Sequence, residues 1–209
     1  MQFKNKKSYF ITAIHTDAGK TFISALLVKA LNANYWKPIQ SGIEIRDTEE
    51  ICRLARIENT RCFDERYLLK SPESPHSAAK KEGIELLLDT IELPNSMNNL
   101  IVEGAGGILV PINEEQTIVD VIQKLNIPII LVVPTYLGCI NHTLLTLEVL
   151  KARNLKLEMI IFNGDESKQA QDIIIKKANN VKNYRVPKVS KDDFVKFDEI
   201  SVELSQLFL

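Results

Sequence analysis

The sequence is poor in the residues that staple or metallate small proteins. It holds three cysteines, Cys52, Cys62 and Cys139, and three histidines, with no C-x-x-C and no H-E-x-x-H. Neither a disulfide framework nor a zinc site is expected, and a reducing cytoplasm suits this composition. An excess of one charge is also missing: 26 Lys and Arg against 27 Asp and Glu leave a formal charge of -1. That balance excludes an overall basic field that would draw the chain to nucleic acid or an anionic membrane surface. Long apolar runs are absent as well. The longest, Ile127 to Val133 (IPIILVV), falls far below the roughly 20 residues that span a bilayer. The start, MQFKNKKSYFITAI, puts lysines ahead of apolar residues, but its run is too short for a secretory signal and meets GKT before any cleavage pattern. A cytoplasmic protein acting on small molecules is expected.

No internal repeat, low-complexity segment or Gly/Ser linker divides the chain. Its 209 residues, 45% hydrophobic, suit one sizeable core and a single domain over 1–209. Near-continuous apolar runs occur at Ser8–Ile14 (SYFITAI), Asn99–Glu103 (NLIVE), Ile127–Pro134 (IPIILVVP) and Leu157–Asn163 (LEMIIFN). Such runs suit strands buried on both faces of a parallel sheet. Helical spacing falls between them, at Thr21–Leu31, Thr117–Leu125, Thr143–Ala152 and Ser167–Ala178. The alternation predicts an α/β fold, a parallel sheet flanked by helices, with ligands at the carboxyl ends of the strands. Asp64 to Gly83 reads as loop and short helix beside the site. From Tyr184 onward only a final helix, Asp198–Leu209, is legible.

Between the first strand and the first helix lies AIHTDAGKT, Ala13 to Thr21. It ends like a phosphate loop, but the standard G-x-x-x-x-G-K-[ST] spacing would put its first glycine at Ile14. The strand-loop-helix context favours the nucleotide reading. Helix-start N–H groups would hold phosphate, Lys20 would reach the β- and γ-phosphates, and the Thr21 hydroxyl would ligate Mg²⁺. A second motif, NLIVEGAGG, ends an apolar strand in Glu103 and follows it with three glycines. A buried strand glutamate is costly unless paired, so Glu103 is read as a metal ligand. Asp47, before the helix-like TEEICRLA, reads equally as N-cap or ligand. Lys37, in WKPIQSG, sits at a strand end, where a surface lysine is the commonplace reading. In LGCINH, Asn141 reads as a helix cap, the neighbouring amides as a carboxylate site, and Cys139 as a small buried thiol.

Taken in order, FITAIHTDAGKT, YWKPIQSG, SPH (Ser74 to His76), VEGAGG and LGCINH resemble the dethiobiotin synthetase family, over roughly the first three quarters of the chain. The family's loop is longer than the standard one, with its first glycine at the place held here by Ala13. His15 and Asp17 stand where an acidic residue and glutamate are familiar. The resemblance implies a P-loop NTPase-type fold and an enzyme that joins CO₂ to 7,8-diaminopelargonic acid, forming dethiobiotin, ADP and phosphate. It implies Lys20 and Lys37 as catalytic residues, and Asp17, Ala18, Gly19, Lys20, Thr21, Glu103, Gly106 and Asn163 as nucleotide contacts. Mg²⁺ would lie on Thr21, Asp47 and Glu103. Thr16, Lys37 and Ser41 would hold the substrate, together with Gly138, Cys139, Ile140 and Asn141 of a second subunit, which implies a homodimer. ATP is the expected nucleotide, with GTP open because Asn163-Gly-Asp resembles a guanine-reading spacing. His76 reads as a site neighbour or as a structural loop histidine. The alternatives are another P-loop amide-forming ligase of cobyrinic-acid synthase type and a switch or partitioning ATPase.

Overall fold

The computed structural model describes residues 6–209; the opening Met1–Asn5 of the lysine-bearing start lies outside the described residues. In chain order the strands are β1 (Ser8–Ala13), β2 (Asn34–Trp36), β3 (Ile39–Ser41), β4 (Cys62–Phe63), β5 (Tyr67–Leu69), β6 (Leu100–Gly107), β7 (Ile129–Pro134), β8 (Leu157–Asn163) and β9 (Lys182–Val186). The α-helices are α1 (Lys20–Ala30), α2 (Asp47–Ala55), α3 (Pro75–Glu82), α4 (Ile118–Leu125), α5 (Cys139–Ala152), α6 (Lys168–Lys177) and α7 (Phe194–Gln206). Seven strands form one sheet in the order β4-β2-β6-β1-β7-β8-β9, every neighbouring pair parallel. β3 and β5 make a separate parallel pair.

The period of two along a strand divides the apolar residues between two faces. Tyr9, Ile11 and Ala13 of β1 join Tyr35, Ile101, Ile130 and Val132 in a cluster packed by α1, α2 and α7. Phe10 faces the other way, with Trp36, Leu100, Val102 and Ile129, under Ala78 and Ala79 of α3 and Ile118, Val119 and Ile122 of α4. A smaller cluster, Leu131, Val133, Ile160 and Phe162, is covered by Ile174 of α6. β1 and β6 are therefore central, sandwiched on both faces, which is why they carry unbroken apolar runs.

Several elements differ from the sequence expectation, among them α7, which spans Phe194–Gln206 where Asp198–Leu209 is expected. β6 continues past Glu103 through Gly107, because after a register shift Gly107 pairs with Ala13 of β1. α5 starts at Cys139 behind Gly138, whose φ of 107° makes it the cap, so Asn141 lies inside the helix and caps nothing. β9 and the edge strand β4 were not legible: β9 is largely solvent-facing and β4 has only two residues.

Candidate active site

The phosphate loop runs from β1 into α1, at the carboxyl edge of the sheet. Ala13 belongs to the ladder, paired with Val132 of β7, and takes no positive φ, so alanine serves where the family has glycine. The left-handed positions of the loop are Asp17 (φ 58°) and Gly19 (φ 85°). Asp can adopt this region, whereas Gly19 is doubly required: a Cβ there would run into Asn163 Nδ2. Asn163, at the end of β8, donates from that amide to the Ala18 carbonyl at 2.9 Å. β8 is thus tied to the turn that caps α1.

Behind the loop, five side chains from four segments converge. Thr21 Oγ1 lies 2.8 Å from Asp47 Oδ1 and 3.1 Å from Glu103 Oε1, its single proton shared between the two carboxylates. Lys37 Nζ lies 2.5 Å from Asp47 Oδ2 and 3.3 Å from Glu103 Oε1. Lys20 is buried beside them, within the field of both carboxylates. Lys37 is only 5% exposed, which overturns the surface-lysine reading. Arg46 occupies the N-cap of α2, and the Asp47 side chain makes no cap bond, which overturns its capping role. Its carboxylate points into the cluster instead.

Charges this deep must compensate one another. Burial pulls the Lys37 pKa down, but Glu103 and then Asp47 outweigh it and leave it raised. Burial pushes Asp47 up, and the attraction of Lys37 with its hydrogen bond more than reverses this, holding the carboxyl below its usual value. Lys20 differs: burial dominates, Glu103 only partly offsets it, and the net pKa is lowered. Lys20 is the under-compensated cation of the group, ready to be stabilised by an arriving anion.

Asp47 Oδ1 and Glu103 Oε1 both lie against the Thr21 hydroxyl, and all three are hard oxygens, the donor type Mg²⁺ takes. Among the described residues no three His, Cys, Asp or Glu side chains form a metal cluster. Two carboxylates and a hydroxyl would suit an ion that takes its other ligands from phosphate and water.

A cavity of about 680 Å³ opens over the cluster, lined by Thr16, Asp17, Gly19, Lys20, Thr21, Lys37, Ser41, Asp47, Glu103 and Gly106 among others. Gly106 (φ 61°) leaves its wall open where a Cβ would meet Val110 Cγ2 at 2.7 Å. Ser41 Oγ is buried without a protein partner. An adjoining cavity of about 350 Å³, lined by Asn163, Gly164, Asp165, Pro187 and Val189, shares Gly19, Phe22 and Lys191 with the first. Gly138, Cys139, Ile140 and Asn141 line neither cavity, while Cys139 is buried as expected of a packing thiol. His76 is held between Ser74 Oγ (3.1 Å) and Ser77 Oγ (3.3 Å), and Ser74 and Pro75 rather than His76 face the cavity. His15 packs edge-on against Tyr136.

Sequence reasoning missed two supports. Tyr35, fully buried in β2, donates to Glu103 Oε2 at 3.0 Å. Gln40 binds the Ser41 and Gly42 carbonyls at 3.1 Å and accepts from the Asp47 amide at 3.4 Å, fixing the start of α2. Nothing in the pattern distinguishes Tyr35 from an ordinary strand aromatic; Gln40 lies inside the WKPIQSG motif, which was its only signal.

The chain matches the family model described as an AAA domain over residues 7–190. It is 48% identical over 171 residues to the ATP-dependent dethiobiotin synthetase BioD of Cytophaga hutchinsonii, covering 81% of this chain and 83% of that one. With the protein of the same name from Christiangramia forsetii it shares 42% over 198 residues, 94% of this chain and 93% of the relative. The likeness thus extends beyond the first three quarters, into the tail that pattern left unread. Among solved structures, a ParA family ATPase from Chlorobium tepidum TLS superposes with a TM-score of 0.59 at 13% identity, over 96% of this chain and 98% of that chain. The MinC:MinD cell division protein complex of Aquifex aeolicus gives 0.58 at 12%, over 97% and 95%. At such identities these two show the shared P-loop fold alone, whereas the curated relatives carry the kinship further: this chain belongs to the ATP-dependent dethiobiotin synthetase family.

Proposed function

We propose that this enzyme makes dethiobiotin from 7,8-diaminopelargonic acid and CO₂ with ATP and Mg²⁺. The observation that carries the reading is the convergence of Lys20, Lys37, Thr21, Asp47 and Glu103 at the floor of one cavity, in a chain of this family. One amine of the substrate adds to CO₂ and becomes a carbamate. A carbamate oxygen attacks the γ-phosphorus and ADP leaves. The second amine attacks the carbonyl carbon of the mixed anhydride, expels phosphate and closes the cyclic urea.

Lys20, under-compensated in its buried setting, neutralises the phosphate chain on binding, and Lys37 faces charge developing on the carbamate and the transferred phosphoryl group. These are positioning and electrostatic roles, the main resources of phosphoryl transfer. Thr21, Asp47 and Glu103 would hold Mg²⁺, which supplies charge neutralisation between phosphate oxygens. Thr16 and Ser41 orient the diamine and carbamate; the unpartnered Ser41 hydroxyl supports this role. Asn163 and its neighbours in the smaller cavity take the base. A second subunit supplies Gly138 to Asn141; the Cys139 amide donates to the Tyr136 carbonyl, and the Gly138, Ile140 and Asn141 amides suit the substrate's distal carboxylate. Among the described residues no helix is long and apolar enough to cross a membrane.

The test is dethiobiotin formation by mass spectrometry from purified protein, diaminopelargonic acid, bicarbonate and Mg²⁺, with ATP and GTP in parallel. Product with ATP supports the reading, and product with GTP alone reassigns the base. A folded protein that binds Mg²⁺–nucleotide but yields no product with either loses the substrate assignment.

A further inference from the structure

Outside the site, Cys52 and Cys62 lie with their sulfurs 3.3 Å apart. Both are free thiols and both are partly exposed, whereas Cys139 is buried. Cys52 sits in the second half of α2, and Cys62 opens β4, where it pairs in register with Tyr35 of β2. The pair therefore bridges two supports of the lysine-carboxylate cluster. α2 carries Asp47 at its first position, and Tyr35 holds Glu103. Nine residues separate the cysteines in sequence, with no C-x-x-C spacing to announce them.

We propose that Cys52 and Cys62 are a modification site: a dithiol that closes into a disulfide by exchange with a low-molecular-weight disulfide, tethering α2 to β4. The Cys52 thiolate attacks one sulfur of the small disulfide, forming a mixed disulfide and releasing one thiol. The Cys62 sulfur then gives up its proton, attacks Cys52 and releases the second thiol. The net change is two protein thiols and one small disulfide converted to one protein disulfide and two small thiols. Burial, and then contact with Cys52, push the Cys62 thiol up, which favours Cys52 as the first nucleophile. Bond formation draws the sulfurs in to about 2.05 Å. Because Asp47 heads the same nine-residue helix, this pull reaches the cluster, where misplacement of about 1 Å is costly to rate. The linkage does not depend on the catalytic reading of the site, but its effect on turnover does.

The experiment treats the full chain with oxidised glutathione, caps remaining thiols by alkylation and digests with trypsin. Cleavage after arginine separates Asp47–Arg53 from Cys62–Arg66, so the link appears as these two peptides joined, with Cys139 alkylated. The link should form at least about tenfold faster in the folded chain than in urea, since the fold holds the thiols together. Cys52→Ser and Cys62→Ser should each retain glutathione as a mixed disulfide or remain reduced, without the joined peptides. Mixed or intermolecular disulfides alone in the wild-type chain, or equal rates in urea, overturn the proposal. The linked protein should make dethiobiotin about tenfold more slowly and recover with dithiothreitol. Linked protein with undiminished turnover overturns the coupling to Asp47. Absence of product from the reduced control is instead a failure of the catalytic reading.

Discussion

Lys20 and Lys37 line one cavity yet have opposite electrostatic fates, and this difference yields separable predictions. Lys37 is raised and Asp47 lowered. The stability contributed by Lys37 is present below the ordinary lysine value and lost only as pH rises through its raised pKa; that of Asp47 is present above the ordinary carboxylate value and lost as pH falls through its depressed pKa. Their ion pair therefore persists across the neutral range. Lys20, lowered by burial, loses its charge first as pH rises. ATP affinity should decline on the alkaline side before the ordinary lysine value of about 10.4, measurable by calorimetry; a flat profile up to that value contradicts the assignment. Lys20→Ala should abolish turnover while circular dichroism and Tm stay close to wild type, and near-normal activity would remove the phosphate-loop role. Asp47→Asn and Glu103→Gln should each raise the Mg²⁺ needed for half-maximal rate, and unchanged metal titrations for both would overturn their placement on the ion. Tyr35→Phe leaves one oxygen of buried Glu103 without its donor and should cost about 1–3 kcal/mol of stability in denaturant titrations.

At the scale of elements, the turn between β1 and α1 shows what a sequence can and cannot disclose. The two central strands and the helix after GKT were legible because an unbroken apolar run and a phosphate-loop ending are local signals. Ala13 could not be interpreted locally, since its suitability depends on pairing with Val132 and Gly107 across β7 and β6. Asp47 was ambiguous for the same reason: only the tertiary position of Lys37 and Thr21 makes it a partner instead of a cap. Tyr35 and the Cys52–Cys62 contact carry no local signal at all. Gly19 has both a local and a tertiary requirement. Gly19→Ala places alanine in the left-handed region, at a cost of about 1–2 kcal/mol, and drives its Cβ into Asn163. Tm and ATP affinity should both fall. Adding Asn163→Ala should recover part of the Tm, because the clash goes, but not the affinity, if Asn163 holds the base as proposed. Full recovery of both would show that Asn163 acts only as an obstacle.

The whole molecule poses the remaining question, because the proposed substrate site draws residues from a second chain. The start of α5 reaches neither cavity, yet it displays Leu137 fully exposed, with Ile140 and Leu145 also at the surface. Apolar side chains gathered beside a helix start suit burial against a second copy, and that copy's amides would then meet the carboxylate end of a substrate lying in the first chain's cavity. Two defects on different subunits should consequently complement. Lys20→Ala would disable the phosphate loop of its own chain; in the proposed dimer Asn141→Asp would put a negative charge against the carboxylate of its partner's substrate. Each variant alone should be inactive. In a randomly mixed dimer population, half the molecules pair the two variants, and one of their two sites unites an intact loop with an intact α5 start. Activity should therefore rise to about a quarter of wild type after subunit exchange or co-expression, with sedimentation reporting a dimer. A mixture no more active than its separate components, while still dimeric, would return the whole site to a single chain and leave α5 as a surface with another purpose.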